Sequence, residues 1–224
     1  YPKATLYRLL QTLLNQDMLS YNEEEQTYKL GLKLVRMAHS AWLQSSLAPV
    51  AVPFIDDLSA KVGETVHLAE LDNGQVLYVD KRNPASPIEM YSQAGKVGPA
   101  YCTGVGKAMM AFLDESELNK VISKQAFHKY TEHTITSAKA LKKELATIKK
   151  EGISFDRQEH EEKIICISSP ILSTNGKVIG GLSITSSVDI HSLKSLEKFK
   201  PELLETSHLI GKEAGAWSFP EKNY

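Results

Sequence analysis

The chain has 224 residues, 42% of them hydrophobic and 24% charged, a composition that suits one substantial globular domain and a small one. No apolar run approaches the ~20 residues that a membrane span requires, and two cysteines, Cys102 and Cys166, are too few and too distant for a disulfide framework or a zinc cluster, which favours a reducing, cytoplasmic setting. The net charge of −1 argues against an extended nucleic-acid surface, although residues 1–44 hold five basic and four acidic side chains, giving +1 and leaving −2 for the remainder.

The opening "YPKATLYRLLQTLLNQDMLSYNEEEQTYKLG" predicts a helix followed by a hairpin. Pro2 suits the first helical position, and Leu6, Leu9, Leu10, Leu13 and Leu14 form one helical stripe. Lys3, Thr5, Tyr7 and Arg8 are placed outside that stripe near the N-terminal end, where a DNA-reading helix presents side chains to bases and phosphates. "LSYNEEEQTYKLG" reads as two short strands around a polar turn. Helix then hairpin is the second half of a winged helix. With no preceding helices to receive the leucine stripe, the expectation is a winged-helix domain truncated at its N-terminus.

From Leu30 to Ser45, Leu34, Met37, Ala38 and Ala41 share a face, as in a connecting helix. "LAPVAVPFIDDLSAKVGE" predicts another helix, separated by Pro49 and ended near Gly63. "TVHLAEL" and "QVLYVDKR" flank "DNG" and predict a hairpin over Thr65–Arg82, and "IEMYSQAG" predicts a third strand. "YCTGVGKAMMAF" invites a nucleotide-loop reading that fails: Lys107 is followed by Ala108 where a Walker loop needs a hydroxyl, Tyr101 stands where its first glycine belongs, and Met109 replaces the third glycine of a dinucleotide fingerprint. What remains is a helix capped by Cys102 or Thr103, with first-turn amides open to a small anion.

Helical signals continue from Thr103 to Gly152, with Ser137 as a cap, Leu141, Leu145 and Ile148 facing inward, and Gly152 as a terminator. "IICISSPILSTNGKVIGGLSITSS" predicts a second hairpin with Asn175 and Gly176 as a two-residue turn. A final helix spans about Ser192–Ala216. Hairpins separated by helical blocks point to an α+β fold on an antiparallel sheet. In "GLSITSS", Ser183 and Thr185 fall on one strand face and Leu182 and Ile184 on the other; hydroxyls on such a face meet either water or a ligand.

Five segments, "KATLYRLLQTL", "YKLGLKLVRMA", "GETVHLAELDNGQVLYVDK", "YSQAGKVGPAYCTGVGKAMMAF" and "CISSPILSTNGKVIGGLSIT", follow one another with the order and spacing of the IclR family of bacterial transcriptional regulators, which the chain resembles from residue 1 to about 215. "MYSQAG" and "TITSAKAL" look closest to the branch regulating use of 2-keto-3-deoxygluconate and related sugar acids. The resemblance implies a partial winged helix-turn-helix over 1–30, a linker helix over 31–47, and a GAF-like effector domain over 48–224 with a curved antiparallel sheet flanked by helices. It further implies operator DNA as a partner, a homodimer or homotetramer, no membrane association, no cofactor and no catalysis.

Carried over residue by residue, the implied lining of the effector pocket is Met90, Gly104, Val105, Asp156, Ile164, Cys166, Ser183 and Thr185. For a small sugar-acid or keto-acid effector, the Gly104 and Val105 amides would hold the carboxylate, with Gly104 leaving the approach open. Ser183, Thr185 and Asp156 would take hydroxyls, and Met90 and Ile164 would shape the apolar wall. Asp156 has a rival role as the cap of a turn after "ISF". The chain departs from the sugar-acid branch in having Glu89 and Gln93 where arginines are usual around "MYS", and Lys163 in place of a glycine before the pocket cysteine. Two other functions share the same fold: a thiol enzyme using Cys102 and Cys166, with Cys102 activated by the helix beside it, and a sensor for a purine or other cofactor.

Overall fold

The computed structural model describes residues 1–45 and 47–216, which divide into two compact units at Leu47. The first unit comprises helix α1 (Lys3–Asn15), strands β1 (Leu19–Asn22) and β2 (Thr27–Leu30), and helix α2 (Leu32–Ser45). Pro2 stands just before α1 rather than inside it, and its carbonyl accepts the amides of Thr5 and Leu6. The hairpin pairs Leu19 with Leu30 through to Asn22 with Thr27. Asn22 Oδ1 folds the acidic turn by accepting the amides of Glu24 and Glu25 at 3.0 and 3.2 Å. Gly31 lets the hairpin close on α1, since a Cβ there would collide with the Asp17 carbonyl.

The second unit begins with α3 (Ala48–Val62), ended by Gly63 at φ 68°. Strands β3 (Thr65–Asp72), β4 (Gln75–Arg82) and β5 (Val97–Pro99) follow, then helices α4 (Gly104–Met110), α5 (Glu115–Ser123) and α6 (Ala138–Glu151). Strands β6 (Ser154–Arg157), β7 (Ile164–Leu172) and β8 (Val178–Ser187) complete the sheet. The chain ends with α7 (Leu193–Leu196), a 3-10 turn at Glu197–Phe199, and α8 (Lys200–Ala216). All neighbours in the six-stranded sheet, ordered β5-β4-β3-β8-β7-β6, are antiparallel.

Helices cover both faces of this sheet, so its strands read as nearly continuous buried runs rather than clean alternations. Ser168 meets the α4 side, where Gly104 approaches it, while Ser169 faces the other way and bonds Ser207 of α8 at 2.6 Å. On the α4 side, Tyr101, Met109 and Met110 pack with Leu141, Leu145 and Ile148 of α6, whose N-cap Ser137 accepts the Ala140 amide and whose C-cap is Gly152 at φ 74°.

Turn chemistry explains one expected hairpin and corrects the other. Asn73 and Gly74 both have positive φ, 51° and 84°, as a two-residue turn matched to strand twist demands. At the second hairpin only Gly176 does, at 77°. The Ser173 amide donates to the Lys177 carbonyl across Thr174, Asn175 and Gly176, giving a three-residue loop whose last position is left-handed. The "IEMYSQAG" segment forms no strand. It is held instead by discrete bonds, and strand geometry starts only at Val97, after Gly95 at φ 84°.

Candidate functional site

Strand register assembles a polar surface beneath α4. One cross-strand row runs Thr65, Thr185, Cys166, Asp156, and the next runs His67, Ser183, Ser168, Ser154. These small polar residues from four strands share one face because side chains alternate along each strand. Above them lies a small, partly open cavity of about 30 Å³. All eight residues expected to line a pocket border it: Met90, Gly104, Val105, Asp156, Ile164, Cys166, Ser183 and Thr185. His67, Tyr78, Ser92, Thr103, His160 and Glu161 border it as well, and sequence reasoning had not selected them.

His67 organises the hydroxyl side. Its Nδ1 lies 3.3 Å from Ser183 Oγ and 3.2 Å from Thr185 Oγ1, and its Nε2 lies 2.8 Å from Ser92 Oγ. Burial, reinforced by the nearby Lys81 charge, lowers its pKa to about 3, so the ring is neutral near pH 7. A neutral imidazole has one donor and one acceptor nitrogen, so it fixes how these hydroxyls share their protons. A lone histidine in "TVHLAEL" gives little warning of this. The available signal was its pairing with Ser183 across the β3–β8 ladder, which only the sheet order reveals.

Asp156 fills both roles considered for it. Its Oδ1 accepts the Glu159 amide at 2.8 Å, capping the turn after β6, while the residue also faces the cavity. Burial first, then the Glu159 charge, raises its pKa to about 7 against the opposing effects of the Glu159 amide and Lys107. Lys107, which first suggested a phosphate loop, points elsewhere: its ammonium is fully buried, hydrogen-bonded to Glu159 Oε1 and 3.6 Å from Glu144 Oε1. It is an internal counter-ion of the domain rather than an exposed anion receptor.

Gly104 has a packing reason beside the expected one. A Cβ here would crowd Cys166 Sγ and lie 2.7 Å from Ser168 Oγ and 3.0 Å from the Asp156 amide nitrogen. The absent side chain lets α4 sit directly on β6 and β7. Thr103 occupies the N-cap position, but its hydroxyl donates to the Pro99 carbonyl at 2.8 Å and caps no helix amide. The amides of the first helical turn have no intrahelical acceptor.

The thiol reading loses its chemistry. Cys102 and Cys166 are both buried and free. Burial pushes the Cys166 thiol up to about 12, and Cys102 is pushed well above the ordinary thiol range, also chiefly by burial. Neither is an activated thiolate, and the helix beside Cys102 does not lower its pKa. Among the described residues no group of three or more His, Cys, Asp or Glu could hold a metal ion, and no helix is long and apolar enough to cross a membrane.

In the first unit, Lys3, Thr5, Tyr7 and Arg8 are all exposed on α1. At 3.6 residues per turn, only Arg8 points squarely away from the leucines; Thr5 and Tyr7 flank them, and Lys3 falls within their arc rather than outside the stripe as expected. The leucine stripe is itself open: Leu6 and Leu9 are each 50% exposed.

Known proteins are similar to this chain in sequence and fold. Residues 39–212 match the family model described as bacterial transcriptional regulator IclR, C-terminal. The chain is 31% identical over 218 residues to the HTH-type transcriptional regulator KdgR of Escherichia coli strain K12, covering 97% of this chain and 83% of that protein. Identity to the HTH-type transcriptional regulator XynR of the same strain is 29% over 213 residues, covering 95% and 84%. The crystal structure of Thermotoga maritima IclR matches with a TM-score of 0.80 at 28% identity, over 95% of this chain and 85% of that one.

Proposed function

This chain belongs to the IclR family of bacterial transcriptional regulators, and from that premise we propose that it is a DNA-binding repressor of a sugar-acid catabolic operon, released or reshaped by a small carboxylic acid effector. The supporting observation is the convergence of Gly104, Val105, Asp156, Cys166, Ser183 and Thr185 on one cavity walled by Met90 and Ile164. Hydroxyl groups of an effector meet Ser183 and Thr185, whose protons are arranged by His67. Its carboxyl group meets the first-turn amides at Gly104 and Val105. The motifs "MYSQAG" and "TITSAKAL" favour 2-keto-3-deoxygluconate or a related sugar or keto acid.

In this reading residues 1–30 are the end of a winged helix-turn-helix domain, 31–47 a linker helix and 48–224 the effector domain; residues 46 and 217–224 lie outside the described residues. Lys3, Thr5, Tyr7 and Arg8 contact operator DNA, and the open leucine stripe of α1 packs against other helices of the DNA-binding domain. The protein works in the cytoplasm as a homodimer or homotetramer, because a symmetric assembly matches two operator half-sites a whole number of helical turns apart. Effector and operator are coupled by about 1 to 3 kcal/mol, the usual scale for two-site coupling.

A thermal-shift screen of sugar acids, keto acids and aromatic acids tests the effector class. An acid at ~100 times its dissociation constant adds about 2.7 kcal/mol of stability. A sugar or keto acid is expected to raise the Tm; a screen in which only aromatic acids do so would remove the sugar-acid assignment.

A further inference from the structure

The cavity that receives the effector carries its own negative charge. Among the described residues, Asp156 and Glu161 border it and no lysine or arginine does. The nearby cations are committed elsewhere: Lys107 to Glu159 and Glu144, and Lys81 Nζ to the Ser92 carbonyl at 2.8 Å. His67 is neutral. Burial works against ionisation of Glu161, but hydrogen bonds from His160 and from the Tyr91 amide outweigh it and hold its pKa below the usual carboxylate value. An effector carboxylate therefore enters a confined space that already contains one anion and, at Asp156, a second carboxyl group. Two carboxylates confined together do not both stay ionised.

We propose that an acidic effector is taken up together with one proton, held between its carboxyl group and the side chain of Asp156, so that the regulator binds acids more weakly as pH rises. Asp156 is suited to this by placement. Its Oδ1 is occupied by the Glu159 amide, and the residue borders the cavity. The groups facing it are Glu159 and Glu161 from the loop after β6, Lys107 of α4, Cys102 just before α4, Cys166 of β7 and Tyr78 of β4. The thiols and the phenol are pushed up by burial and stay neutral, and Lys107 is paired. His160 also borders the cavity but lies against Glu161, with Nδ1 3.7 Å from Oε1, which leaves Asp156 as the buried carboxyl group placed to share a proton with the effector. With its pKa near 7 in the free protein, uptake approaches one proton above that pH and falls away below it. Free carboxylic acids, with pKa values of about 3 to 4, bring no proton of their own at neutral pH.

The inference rests on the acid-effector reading, and calorimetry separates the two. 2-Keto-3-deoxygluconate is titrated into the full protein at several values between about pH 6 and pH 9, in phosphate and in Tris, whose ionisation enthalpies differ. The expected result at the alkaline end is uptake of one proton and a Kd that rises about tenfold for each pH unit, as linkage of one proton requires; near pH 6 both effects fade. Asp156→Asn keeps the acceptor for the Glu159 amide and is expected to bind with no proton uptake and a flat pH profile. Binding by the parent protein with no buffer dependence and an unchanging Kd would overturn the proton-coupled mechanism while leaving the acid reading intact. Binding of a neutral polyol such as sorbitol, with no heat from any acid, would overturn the acid reading and this inference with it. The buffer comparison uses the parent protein alone, so it decides even if the variant fails to fold.

Discussion

Replacing Lys107 with methionine removes one member of a buried ion pair while leaving a side chain of similar length. Lys107 and Glu159 have side-chain exposures of 0% and 3%. Without the ammonium, Glu159 keeps a weak contact from the Arg157 amide at 3.4 Å, while its Oε2 already lacks a partner. Arg157 Nη1, at 3.9 Å from Glu159, is half-exposed and bonded to Glu144, so it is a poor substitute. Breaking such a pair from one side typically costs about 3 to 5 kcal/mol, because an uncompensated charge stays buried. For a domain of this size each kcal/mol lowers Tm by about 2 to 4 °C, so the expected drop is roughly 6 to 20 °C by calorimetry. Lys107→Met combined with Glu159→Gln removes both charges and is expected to recover most of the loss, since a buried pair and a neutral replacement are often close in stability. A single variant costing less than about 1 kcal/mol, or a double variant no more stable than the single, would refute the internal counter-ion role.

Gly104→Ala is expected to destabilise the domain by about 1 to 3 kcal/mol through overpacking against Cys166, Ser168 and the β6 backbone, and adding Cys166→Ala should restore part of it; a neutral single variant in urea unfolding would show that α4 is not seated as described. Lys163 sits at φ 67°, a conformation that costs a lysine about 1 to 2 kcal/mol. Its ion pair with Asp189 is largely exposed at 3.4 Å and contributes little. Lys163→Gly should therefore gain about 0.5 to 1 kcal/mol after the extra chain entropy of glycine is offset, and a fall in Tm would contradict this.

The elements that sequence reasoning located well are those with local causes. Ser137 and Gly152 bracket α6, Gly63 ends α3, and Asn73-Gly74 makes a two-residue turn. Errors arose where nonlocal geometry decides. "IEMYSQAG" reads as a strand, but the Tyr91 amide goes to Glu161 and the Ser92 carbonyl accepts from Lys81 Nζ, so its backbone bonds are drawn away from a ladder. "NG" in the second hairpin gave the turn but not its length, because Gly176 alone takes the left-handed position. The residues around the cavity came from family resemblance; alternation offered only Ser183 and Thr185. His67 and the Lys107–Glu159 pair depend on segments 116 and 52 residues apart in sequence meeting in space, and no local pattern carries that.

The most direct test of the regulator itself is an anisotropy titration of the protein, expressed from its natural gene, on labelled DNA from upstream of sugar-acid catabolic operons, with and without the acid that raises its Tm. The expected result is selective binding to one upstream fragment over unrelated DNA, and a 5- to 150-fold change in that affinity when the acid is present, corresponding to about 1 to 3 kcal/mol of coupling. Equal affinity for all fragments, or selective binding that the stabilising acid leaves unchanged, would contradict it.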